Sequence, residues 1–172
     1  TLSFDDYIDC RKYNLTVETF YNNGIFEELI KLLKRHNVKI STFVLNIHEK
    51  VKNSKLFAEL YSNFVKETKE LWDSKEELIE FLKDENVIKK YVAAEMGNNE
   101  QLLYRTVAVL EMIEQLHTVT FEVAKSLLLP KMKLNGQAEA FFEEFEAFCL
   151  MQKKDMMSTD KIIKKVFHFD FI

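Results

Sequence analysis

The sequence predicts an all-α fold, an irregular multi-helix bundle gathered around one long central helix. Three observations carry that prediction. The 172 residues include only 3 Gly and 1 Pro, too few for the φ > 0 turns of a sandwich, a barrel or a Gly-rich nucleotide loop. Apolar residues make up 47% of the chain and recur mostly at steps of three and four. The run from Asn98 to Leu129 holds neither proline nor glycine and is closed by Pro130, the only proline.

That run supplies the central helix. Leu102, Thr106, Val109, Ile113, Leu116, Thr120, Val123 and Leu127 form one stripe. Leu103, Val107, Leu110, His117, Phe121, Ala124 and Leu128 form a second beside it, and Gln101, Arg105, Glu111, Gln115, Glu122 and Lys125 share the remaining face. A helix apolar over more than half its circumference needs neighbours on at least two sides. The length fits a single helical domain, 1–172, with a real core. Thr1 in place of Met predicts a piece of a larger protein.

The other elements follow in order. Ser3 and Asp6 make a capping box for a first helix that runs to Asn23-Gly24, a C-cap pair. Arg11, Asn14, Glu18 and Asn22 fall on one polar stripe of that helix. A second helix spans Ile25 to Asn37, and a third starts at Ser41 with an Ile40–Leu45 hydrophobic staple. A fourth, from Ser54, carries Phe57, Leu60, Phe64 and on to Leu71 and Trp72; Ser74 caps a short fifth. Val87 to Met96 is a sixth, ended by Gly97. Beyond the central helix and the Asn135-Gly136 turn, Gln137 to Lys153 sets Phe141, Phe142, Phe145, Phe148 and Cys149 against Glu139, Glu143, Glu144 and Glu146. Phe167, Phe169 and Phe171 alternate with His168 and Asp170, which predicts a short strand or extended arm with no partner strand in this chain.

Composition narrows the function classes. A net charge of -4 and a pI near 5.7 argue against a general binder of nucleic acid or anionic membrane. No apolar run reaches the ~18 residues of a membrane span. Cys10 and Cys149 lie far apart, in no metal-type spacing, which predicts two reduced core thiols in a cytoplasmic protein. The one ligand-like spacing is Glu114-x-x-His117. Ferritin-like di-iron sites need two such motifs plus two further Glu, and no second Glu-x-x-His exists, so a core histidine is expected. Lys153, Lys154, Lys161, Lys164 and Lys165 make the C-terminal portion locally basic, as a solvated face does.

The runs Phe4-Asp5-Asp6-Tyr7, Cys10-Arg11-Lys12-Tyr13 and Leu15-Thr16-Val17-Glu18-Thr19-Phe20-Tyr21-Asn22 together resemble a segment of cobalamin-binding radical S-adenosylmethionine proteins. In that family the segment follows the catalytic barrel, where a helical C-terminal region begins. The resemblance covers about the first thirty residues. The family's CxxxCxxC cluster loop is absent, so no active-site residue carries over. What the resemblance implies is a non-catalytic helical C-terminal domain that packs on or covers the barrel. The parent would hold a 4Fe–4S cluster, S-adenosylmethionine and cobalamin, and act as an oxidoreductase or methyltransferase; this chain would hold no cofactor. Its partner would be the remainder of the parent chain, met through Arg11, Asn14, Glu18 and Asn22. Arg11 and Glu18 lie two helix turns apart, too far to pair with each other, so they are expected to seek partners outside the chain. The alternative is a free-standing helical protein-interaction module.

Overall fold

Local capping chemistry sets most of the helix starts. The computed structural model describes residues 2–69, 74–93, 99–133, 136–154 and 164–171. The helices are α1 (Phe4–Val17), α2 (Glu27–Arg35), α3 (Ile40–Lys52), α4 (Lys55–Thr68), α5 (Lys75–Phe81), α6 (Glu85–Val92), α7 (Glu100–Glu111), α8 (Ile113–Leu128) and α9 (Ala138–Lys153). Ser3 and Asp6 form the predicted capping box, and Ser54, Ser74, Asp84 and Asn99 each accept a hydrogen bond from a backbone N–H of the first turn. Such caps satisfy donors that a helix start leaves open. No helix among the described residues is long and apolar enough to cross a membrane.

Several boundaries differ from the sequence reading. The first helix widens into a π-helical turn over Glu18–Asn22, then stops at Gly24, whose φ of +76° is open to glycine at no steric cost. α2 is shorter than predicted. Asn37 takes a left-handed φ of 55°, and the Val38 N–H closes back on the Leu33 carbonyl at 2.9 Å, a Schellman ending. α3 starts at Ile40 with Lys39 as its cap residue. Leu45 is 49% exposed, so the staple is no buried pair. Leu71, Trp72, Met96, Gly97 and Asn135 lie outside the described residues.

The central helix is the main correction. Met112 leaves helical geometry, at φ -126° and ψ 25°, and the run predicted as one helix is two. α8 keeps the predicted stripes: Leu116, Thr120 and Val123 are buried, as are His117, Phe121, Ala124 and Leu128. In α7 the buried residues are Gln101, Tyr104 and Ala108, while Leu102, Leu103 and Leu110 are exposed. Polar bonds from α1 and α4 set that phase. Gln101 Nε2 donates to the Arg11 carbonyl at 3.2 Å, and Tyr104 Oη donates to Glu67 at 2.6 Å. The bundle's axis is therefore α8 alone, 16 residues long, which packs on α2, α3, α7 and α9.

The predicted strand does not form. Residues 164–171 form neither helix nor strand and bend at His168–Phe169, and no strand occurs among the described residues. They lie along the chain's own α9 instead of waiting for a sheet. Phe167, Phe169 and Phe171 pack on Phe148, Phe141 and Phe145 with ring centroids 5.1–5.6 Å apart. Period-two alternation turns all three rings to one side, and here that side meets an aromatic helix face. The His168 backbone N–H donates to Glu144 Oε2 at 2.7 Å, so the strap is fastened at its middle.

Candidate functional site: the polar cleft between α1 and α7

The predicted stripe lies at the seam of α1 and α7, in a cleft of about 420 Å³ lined by Arg11, Asn14, Glu18, Gln101 and Arg105 among others. The charges close on each other. Arg11 pairs with Glu100 at 3.3 Å, and Glu18 pairs with Arg105 at 3.2 Å. Asn22 Nδ2 donates to Glu18 at 2.7 Å. The Arg11 guanidinium also sits 5.6 Å from the centre of the Phe64 ring. Asn14 is exposed on the cleft wall. The expectation that Arg11 and Glu18 look outside the chain is thus corrected. α7 supplies a partner for each, at positions that sequence distance gives no means of pairing with α1.

Chemically this is a crossed pair of ion pairs that fixes how α7 lies along α1. Half-exposed pairs of this kind contribute about 0.2–1 kcal/mol each. We expect Glu18→Ala and Arg105→Ala to lower stability by that amount, and the double variant to cost hardly more than either single one. Arg11→Ala should cost about 1–2 kcal/mol, because the cation's contact with Phe64 goes as well. Urea melts of the 172-residue chain measure all four.

The Glu114-x-x-His117 spacing does not assemble a metal site. Glu114 is exposed and paired with Lys154, whereas His117 is fully buried. The His117 Nδ1–H donates to the Ile113 carbonyl at 2.8 Å. Nε2 is buried and has no hydrogen-bond partner among the described residues. Among the described residues no group of three or more His, Cys, Asp or Glu could hold a metal ion. Cys149 is buried and its thiol is pushed up to about 12, first by desolvation and then by Glu28, which keeps it a protonated core group. Cys10 is exposed rather than in the core. One exposed and one buried cysteine do not make the donor set of an iron–sulfur cluster.

Burial holds His117 below its ordinary pKa, and burial does the same to His48. The folded chain therefore keeps both rings neutral where an unfolded chain takes up protons, near pH 6.5. Stability is then highest above that pH and falls as the pH drops toward the depressed folded-state values. Urea midpoints between pH 8 and pH 5 should show the decline, and His117→Leu should flatten part of it.

Comparison with known protein families, with curated proteins and with solved structures gives no match for this chain. Two features have little sequence signal, one on the surface and one in the interior. α5 and α6 bury none of their residues, although their apolar spacing resembles that of the buried helices. Their short length is the one hint, since a helix of two turns has few positions with which to reach a core. The Thr16–His48–Tyr61 hydrogen-bond network is the other, since its members come from three different helices.

Proposed function

We propose that this chain is a non-catalytic helical docking domain that covers another folded domain of a larger protein. The observation that carries the reading is the α5–α6 pair. Neither helix buries a residue, and Ile79, Leu82, Ile88, Tyr91 and Val92 are exposed. Helices of two turns are marginal in water without tertiary packing, so these two are suited to being covered. α7 adds to the apolar outer surface through Leu102, Leu103 and Leu110. In its narrower form, supported by the resemblance of residues 4–22, the covered domain is the barrel of a radical S-adenosylmethionine protein. That barrel would hold the 4Fe–4S cluster, S-adenosylmethionine and cobalamin. The domain works in the cytoplasm, where Cys10 and Cys149 stay reduced.

The test uses the reading frame upstream of Thr1. If it is open, the chain is produced with and without the encoded upstream part, and hydrogen exchange of residues 75–92 is compared. Protection at least tenfold higher in the longer protein is the expected result, and unchanged exchange would sink the reading. A CxxxCxxC in the upstream part selects the narrower form. A start codon immediately before Thr1 gives instead the free-standing interaction module.

A further inference from the structure

A different part of the molecule offers a site for a small ligand. A cavity of about 550 Å³ lies between α2, α9 and the C-terminal strap, with Phe141, Phe145, Phe148 and Phe171 among its walls and Arg35 among its lining residues. This volume is in the range of small-molecule pockets, roughly 300–1,000 Å³, whose usual make-up is apolar walls with a few oriented polar groups. The charges around it decide the ligand. Lys31 is taken by Glu27 at 2.7 Å, and Glu28 lies 3.9 Å from Lys153. Arg35 is exposed and makes no ion pair or hydrogen bond to the described residues. A guanidinium presents a planar fork that matches a carboxylate or a phosphate. Glu28 and Asp170 also line the cavity, and their charges penalise a dianionic phosphate more than a monoanion.

We infer that this cavity binds an amphipathic carboxylate, its hydrocarbon tail among the four phenylalanines and its head group on Arg35. The strap supplies one wall through Phe171, and Glu144 fastens that strap through His168. A ligand seated there therefore holds residues 167–171 against α9. This site is independent of the docking surface of α5 and α6.

Three probes with one tail length test it by titration calorimetry on the 172-residue chain, below their micelle concentrations: decanoate, decyl phosphate at a pH where it is dianionic, and decyltrimethylammonium. Decanoate is expected to bind one per chain and to be the tightest of the three. Arg35→Gln should weaken it at least tenfold while thermal melting stays unchanged, and Arg35→Lys should recover part of the loss. Phe171→Ala should weaken decanoate too, and bound decanoate should slow hydrogen exchange at residues 167–171. Binding of decyltrimethylammonium as tight as that of decanoate would overturn the inference, as would tighter binding of decyl phosphate. No measurable decanoate binding, or binding indifferent to Arg35→Gln, would overturn it equally.

Discussion

Phe26→Ala should remove about 3–5 kcal/mol of stability, the range for deleting a large aromatic from a closed core. Phe26 is 1% exposed at the entry to α2. Its ring lies stacked at 6.2 Å on Phe20, which itself meets Phe57 edge-on, and it approaches the His117 ring to 4.9 Å. One side chain thus joins the π-helical turn after α1, the start of α2 and the axis helix α8. Set against the ~5–15 kcal/mol that holds a typical domain together, this loss is large enough to read in any urea melt. It has a second signature. A cavity beside His117 admits water to a ring nitrogen that otherwise has no partner, and hydration brings the folded-state pKa back toward 6.5. The variant should therefore be less stable at pH 8 and also lose less on going to pH 5.5. A drop below about 1 kcal/mol at pH 8 would mean that α2 is not packed on α8 through this ring.

Structure is legible in the sequence where local chemistry decides the outcome. Ser3 and Ser74 cap helices as expected, because a capping oxygen and the N–H it serves lie within three residues. The stripes of α8 hold at Leu116, His117, Thr120, Phe121, Val123, Ala124 and Leu128, since one unbroken helix carries its phase along its length, although Val119, in neither stripe, is buried too. The same stripes fail in α7. Neither proline nor glycine marks the break at Met112, and the inward face of α7 follows from Arg11, Glu18 and Glu67, which lie on α1, the π-helical turn and α4 in that order. The polar stripe of α1 shows both sides of this. Its composition was legible as a contact surface, but the contact is with α7. Arg11 and Glu100 are 89 residues apart, and no periodicity links positions so distant. The C-terminal alternation predicts a short strand or extended arm, and the strand does not form among the described residues. It gave no indication that a helix, rather than a sheet, would receive its three rings.

Thr16→Val should cost about 2–4 kcal/mol, although it replaces one side chain by another of nearly the same shape. Thr16 is fully buried, where α1, α3 and α4 meet. Its hydroxyl lies 3.2 Å from the Lys12 carbonyl, 2.8 Å from His48 Nδ1 and 2.7 Å from Tyr61 Oη. A hydroxyl has one proton and two lone pairs. Every atom is satisfied when Thr16 donates to Lys12, and accepts from the Tyr61 hydroxyl and from a proton on His48 Nδ1. Valine leaves both of those donors facing a methyl group. Burial already pushes Tyr61 up to about 12, so the phenol stays protonated at neutral pH and cannot escape the loss by ionising. Thr16→Ser keeps the hydroxyl and removes only a methyl, which should cost about 0.5–1.5 kcal/mol. A double-mutant cycle isolates the bond itself. Tyr61→Phe should be markedly cheaper on the Thr16→Val background than on the native chain, because the hydroxyl it deletes has already lost its acceptor. Equal costs on the two backgrounds, with Val and Ser alike at position 16, would mean that packing alone holds this corner.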